Sequence, residues 1–520
     1  MRSRMSLKIA TLAAVVAFPA LADDYASQNG WRFLNFQDPT FSWDIYRDTF
    51  IGIPSTEDAL SSAFDVVFYQ QVYKSKLSAD GNCFGMSLLD QMILKYGGHL
   101  GYCAPVTQYS GDPTSTAMGP TDPMLRRAIN IMHGHQVNLP TVQFLLNIFA
   151  QHLNRDAQYA YDQFNYWQSR GDLTLVCITS DLNPADGGHT MVAYRVQDLG
   201  GGNKKIFVLD PNRTWGSTTD QAWYNSESNF IQINNHGWSF DLGGTTGTWS
   251  GDPASGGNLV ILPISVTGPH SRSPASLGDT VIGQLLNTLL LTGDAPKIDQ
   301  VTDASGKRLY KPGTLELNTD PATGMVNTLP WFISDQRARG QLNSVVLFHM
   351  GQSGGALRLS VRAGPGGYTL SSMGGRTALA VTARGEARSD VITIRSPGTA
   401  ETAVVLENPL GTAAYQVQFT RTEIPGQRVR VMTSSQLQSA EGGSVEVGLS
   451  NQAGGLRVSS GSAALQYNLE LASITHQGRD VLAKSGVTQQ SGTALTVFPR
   501  DWRNLRATDV LERTDIAGRR

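Results

Sequence analysis

Apolar residues recur at helical intervals through the first third of the chain and at strand-like intervals through most of the remainder. In 56–77, Leu60, Phe64, Val67, Phe68, Val72 and Tyr73 recur at helical intervals, which predicts a helix; 122–134 and 140–168 carry the same pattern. A further helix is expected from about Cys83 to Tyr96. Asp80-Gly81-Asn82 is a turn signal, Leu88, Leu89, Met92, Ile93 and Tyr96 form its apolar face, and Gly97-Gly98 stops it. From residue 173 the period shortens. Runs at 173–179, 190–196, 204–210, 230–234 and 258–266, divided by Gly, Asn and Asp clusters, read as an antiparallel sheet. This part of the chain is therefore expected to be α+β, a helical lobe followed by a sheet.

The stretch 267–276, with two Pro and four Ser or Thr, reads as a connection. Beyond it, 344–348, 356–361, 378–381, 390–395, 402–406, 415–420, 444–449 and 465–471 alternate between Gly-rich turns, the pattern of one or two all-β sandwiches. The expected domains are 23–266, 267–386 and 387–520, with the second boundary near Ala387. Residues 500–520, rich in Arg and Asp, form a tail that either frays or docks.

Composition narrows the class. At 520 residues the chain exceeds one ordinary core, in keeping with two or three domains. A formal charge of −2, without long runs of one sign, argues against a nucleic-acid partner or a polybasic membrane surface. Only 16% charged residues together with 54 glycines suit a turn-rich extracellular β protein. Arg2, Arg4 and Lys8 precede an apolar run at 9–18, and Ala20-Leu21-Ala22 offers a cleavage site. Residues 1–22 therefore read as a secretory signal peptide, and the mature chain is expected to begin near Asp23, secreted to the periplasm or beyond. The longest later apolar run, 285–291, falls far short of the ~20 residues that span a bilayer, so no membrane span is expected.

The chemistry centres on Cys83. A thiol near pKa ~8.5 is mostly protonated at neutral pH, and a helix N-terminus or a cationic partner favours the reactive thiolate. The first-turn amides of the expected helix would also face a developing oxyanion. The three cysteines are an odd number; with Cys83 left free, Cys103 and Cys177 either form a bridge or remain thiols, Cys177 lying in an apolar strand. Gly187-Gly188-His189-Thr190 supplies an imidazole, and Leu209-Asp210-Pro211-Asn212 an acid. If 199–203 turns the chain back, positions 189 and 210 stand directly opposite in the antiparallel pair, close enough for the carboxylate to hold the ring. The plain alternatives are an N-cap turn at Asn82, a strand-ending turn at 210–212 and an ordinary histidine.

Together, Gly81-Asn82-Cys83-Phe84-Gly85-Met86-Ser87, Gly188-His189-Thr190-Met191-Val192-Ala193-Tyr194 and Leu209-Asp210-Pro211-Asn212 resemble the papain-like cysteine peptidase superfamily, especially its bacterial branches related to bacteriocin-leader peptidases. The resemblance covers about 50–265 and implies a papain-like domain with a cleft between its lobes. It implies Cys83 as nucleophile, His189 as general base and acid, and Asp210 as orienting carboxylate, with Asn212 as runner-up. It departs at Leu77, where the family places a glutamine as oxyanion donor, leaving the Cys83 amide and the Asn82 side chain for that role.

The expected function is thus hydrolysis of a peptide or related amide through an acyl-thioester on Cys83, with a peptide or protein substrate. The β domains would serve targeting through cell-surface or carbohydrate contact. Transfer to an amine, as in a transglutaminase, uses the same three residues. A surface or binding protein whose papain-like domain is silent is the rival class.

Other motifs fail on context. Gly351-Gln352-Ser353-Gly354-Gly355 precedes an alternating run where a serine elbow needs a helix, and reads as a hairpin turn. His133 and His135 cannot share a helix face and lack a completing Cys or acid, so no metal and no cofactor are expected. The Gly-rich 243–257 reads as a mobile loop beside the cleft.

Overall fold

A computed structural model describes residues 22–516 apart from 39, 58–64, 67, 78–80, 110–118, 180–187, 244–246, 256, 268–285, 294–296, 311–324, 327–343, 351–354, 386, 408–412, 425–427, 440–442, 451–453, 462 and 506–509. Apart from Ala22 and Thr267, the expected signal peptide and the 267–276 connection lie outside the described residues, as does most of the 351–355 turn.

Helices come first. The Cys83 helix runs Cys83–Tyr96 and ends on Gly97, whose φ of 71° is the left-handed conformation that closes a helix. Pro123–Gly134 starts where the Asp122 carboxylate accepts from the Met124 N–H at 2.8 Å. The pattern over 140–168 splits into Leu139–Ala150 and Ala157–Gln168, because Asp156 caps the second helix by accepting from the Gln158 and Tyr159 amides. The segment expected as an α-helix over 56–77 differs at its described end, where Tyr69–Leu77 is wound as a π-helix. At Gly85 a Cβ would lie 2.3 Å from the Ile129 carbonyl oxygen and 2.8 Å from His133 Cβ, so glycine lets the Cys83 helix touch the backbone of Pro123–Gly134.

The sheet follows: β1 (Thr174–Thr179), β2 (His189–Gly200), β3 (Asn203–Leu209), β4 (Phe230–Asn234), β5 (Gly237–Asp241), β6 (Thr248–Gly251) and β7 (Asn258–Pro263), in the order β6-β5-β4-β3-β2-β1-β7 with antiparallel neighbours. Alternation along β1 fixes the layers. Leu175 and Cys177 join the core that holds Leu88, Leu89 and Met92 of the Cys83 helix, whereas Val176 and Ile178 face Phe164 of Ala157–Gln168. Part of the expected 243–257 loop is the edge strand β6, which buries Trp249.

Beyond residue 285 the described chain is built from two nine-stranded antiparallel sheets whose inward residues, from Leu289 to Leu505, share one apolar core. Strands on either side of 387 are neighbours: Ala356–Ala363 pairs with Arg388–Arg395, and Thr377–Arg384 with Ala413–Ile424. The boundary expected near Ala387 therefore falls inside a single two-layer unit. The tail docks where it is described, Val510–Ile516 pairing with Thr493–Pro499 at the sheet edge. Met373 and Ala378 carry contact from this unit into the N-terminal core. Among the described residues no helix is long and apolar enough to cross a membrane.

Candidate functional site

Cys83 opens its helix and has no exposed surface. The turn before it rests on Gly81, whose φ of 121° is open to glycine alone at little cost and whose added Cβ would lie 2.8 Å from Asn35 Nδ2. The Asn82 N–H donates to both the Phe36 carbonyl, at 2.9 Å, and Asn35 Oδ1, at 2.8 Å. Asn35 in turn donates through Nδ2 to Asn212 Oδ1 at 3.1 Å and through its amide to the Pro211 carbonyl at 2.8 Å. One asparagine, 47 positions upstream of Asn82, thus ties the turn before the sulfur to the loop after β3.

His189 begins β2 and Asp210 follows the last residue of β3. The ring Nε2 lies 2.7 Å from Asp210 Oδ1, and the same oxygen accepts the Asn212 N–H at 2.8 Å. With Nε2 engaged, Nδ1 is the nitrogen left for the hydrogen bond that His189 makes to Cys83. Sulfur, imidazole and carboxylate form one chain, all three buried. Burial pulls the imidazole towards neutrality, but the Asp210 charge and hydrogen bond, joined by Cys83, outweigh it and hold His189 well above its ordinary value.

The register that joins His189 to Asp210 is not the expected one. The hairpin turns at Gly201-Gly202, and bulges between Asp198 and Gly200 and between Ala193 and Arg195 each slip the pairing by one, so that Val192 faces Leu209. Extended from there, 189 falls opposite 212. The displacement from the expected pairing is two residues, an even number, so the faces are preserved and His189 meets Asp210 diagonally. Asn212 joins the Asn35 network through its side chain.

Leu77, at the position where the papain-like resemblance implies an oxyanion glutamine, contributes through its backbone. Its carbonyl accepts from His133 Nε2 at 3.0 Å, and His133 Nδ1 accepts the Gly85 N–H at 3.3 Å, which fixes the neutral tautomer. Burial, working against the Leu77 bond, pushes His133 down to about 4. His133 therefore fastens the first turn of the Cys83 helix. The Asn82 side chain is buried, and among the described residues neither its Oδ1 nor its Nδ2 has a partner.

All three cysteines are free, so the Cys103–Cys177 bridge does not form. Cys103 is exposed, whereas Cys177 sits under Thr190, whose hydroxyl donates to its sulfur at 3.5 Å; burial, with the nearby Cys83 adding to it, pushes Cys177 up to about 12. A crevice lined by Ser87, Asp90, Val192, Asp210 and Tyr224 runs behind the site without being lined by Cys83 or His189. In it, burial raises Asp90 to about 8 against the lowering effect of the Gln91 hydrogen bond. Among the described residues, no group of three or more His, Cys, Asp or Glu is placed to hold a metal ion.

Neither Asn35 nor His133 carried a local signal in the sequence, since each acts through a partner dozens of residues away. Comparison of the chain with protein-family models, with curated proteins and with solved structures returns no match.

Proposed function

We propose that this protein is an exported thiol hydrolase of papain-like fold that cleaves peptide or related amide bonds at Cys83. The observation that carries this reading is the continuous chain from the Cys83 sulfur through the His189 ring to Asp210. In it the Cys83 proton passes to His189, and the thiolate attacks the amide carbonyl. The tetrahedral oxyanion collapses to an acyl-thioester as the imidazolium protonates the departing amine, and a water deprotonated by His189 then releases the acid. The Cys83 amide at the helix start and the Asn82 side chain are the donors offered to the oxyanion. Attack by an amine in place of water gives acyl transfer from the same thioester. The β-sandwich unit is assigned to targeting.

A second reading is favoured by one observation, the absence of any exposed surface on Cys83. In it the domain is catalytically silent and the sandwich carries the function. A peptide-library screen of the full chain separates the two. Cleavage that disappears in Cys83→Ala and in His189→Ala supports the hydrolase, and cleavage unaffected by either substitution, or none at all, supports the silent domain.

A further inference from the structure

The sandwich carries a charge imbalance that the hydrolase reading does not use. Arg421, on Ala413–Ile424, is the direct cross-strand partner of Arg430, on Arg428–Ser439. Like charges in that relation repel. Two positions further along the same hairpin Arg428 adds a third guanidinium. A bulge between Thr422 and Ile424 sets Glu423 out of register, and its carboxylate takes both Arg430 Nη2 and, at 3.4 Å, Arg428 Nη1. Glu423 thus pairs with two of the three guanidinium groups, and among the described residues it is the one carboxylate in ion-pair contact with them, a surplus of two positive charges over the paired acid. Arg421 has no hydrogen bond or ion pair to a described residue.

The group is built rather than splayed. The Arg430 guanidinium stacks 4.4 Å over the Trp502 ring, and Gly454 makes room for it, since a Cβ there would lie 2.7 Å from Arg430 Nη1. The Arg430 and Arg428 side chains are 14% and 19% exposed, so both are held in place yet within reach of solvent. Their Nε atoms and the Trp502 Nε1 are buried without a partner among the described residues. Burial, and the like charges of Arg421 and Arg428, pull Arg430 below its ordinary value despite Glu423. A fork of fixed donors carrying two surplus charges matches a doubly charged tetrahedral oxyanion.

We propose that Arg421, Arg428 and Arg430, gathered around Glu423 and Trp502, form a binding site for a sulfate or phosphate group, either as the free ion or as an ester on a polymer. The site would place an exported protein on a sulfated or phosphorylated matrix and is independent of what Cys83 does.

The test is calorimetric titration of the full chain at constant ionic strength with inorganic sulfate, inorganic phosphate and, separately, dextran sulfate. Saturable binding of an anion is expected, weakened about tenfold in Arg421→Gln, a half-buried position without an ion pair to a described residue, where the fold should be undisturbed, and strengthened in Glu423→Gln. Binding of the inorganic ions identifies a free-ion site, whereas binding of dextran sulfate alone identifies an ester on a polymer. No saturable binding by any of the three, or equal binding in wild type and Arg421→Gln, overturns the proposal.

Discussion

His189 Nε2 lies 2.7 Å from Asp210 Oδ1 although the two residues are not strand partners. The contact forms because both lie at strand ends on a shared face and because the Asn212 N–H holds the same oxygen in place. Replacing Asp210 by Ala removes the acceptor that raises and orients the ring. NMR titration of His189 should then show its midpoint falling, and turnover of any substrate found should drop about a hundredfold or more. An unmoved midpoint would mean that Asp210 does not govern the ring.

Asn35→Ala tests the tie between the two lobes. It removes the acceptor of the Asn82 N–H and the donor to Asn212 in one step. Urea unfolding should show a loss of about 1–3 kcal/mol. Stability equal to wild type would show that the Phe36 carbonyl alone secures the Asn82 turn.

At Asn82 the expected effects on stability and activity diverge. Its buried side-chain amide has no partner among the described residues, so Asn82→Ala should leave stability unchanged or slightly raised. If that amide faces the oxyanion, amide cleavage should fall about a hundredfold while alkylation of Cys83 continues. A variant that loses stability and keeps its turnover would return Asn82 to a structural turn.

Two buried groups set opposite pH limbs for stability. His133 is held low, at about 4, so its contribution is complete above the unfolded value near 6.5 and is lost as pH falls through 4. Asp90 is held high, at about 8, so its contribution is complete below the unfolded value of 3.8 and is lost as pH rises through 8. His189 adds a loss of the same sign as Asp90, which makes the difference between wild type and Asp90→Asn the quantity to read. Urea midpoints across this range should decline less towards pH 8 in Asp90→Asn and less towards pH 4 in His133→Gln. Parallel curves for wild type and variants would contradict both assignments.

Much of this was legible in the chain where the cause is local. The Cys83–Tyr96 helix follows from a turn dipeptide, an apolar face and Gly97, each acting within a few residues. The strand positions of the sandwich could be read in the same way, but their partners could not, since alternation at 356–361 contains nothing about pairing with Arg388–Arg395. The His189–Asp210 register shows the limit most sharply. Face parity survived two bulges that the sequence does not mark, at Tyr194 and Leu199, while the pairing itself did not. The roles of Asn35 and His133 are not legible in the sequence, because a side chain that bonds a distant backbone amide leaves no trace in local spacing.

The central claim is that His189 and Asp210 make a sealed sulfur reactive, and site-resolved iodoacetamide labelling of the native protein at about pH 6 tests it most directly. Cys83 is buried and Cys103 exposed, so accessibility alone would label Cys103 first. The account predicts the reverse, with Cys83 labelled ahead of Cys103 in wild type and the preference lost in His189→Ala. Labelling of Cys103 while Cys83 stays unmodified in the folded protein would contradict it.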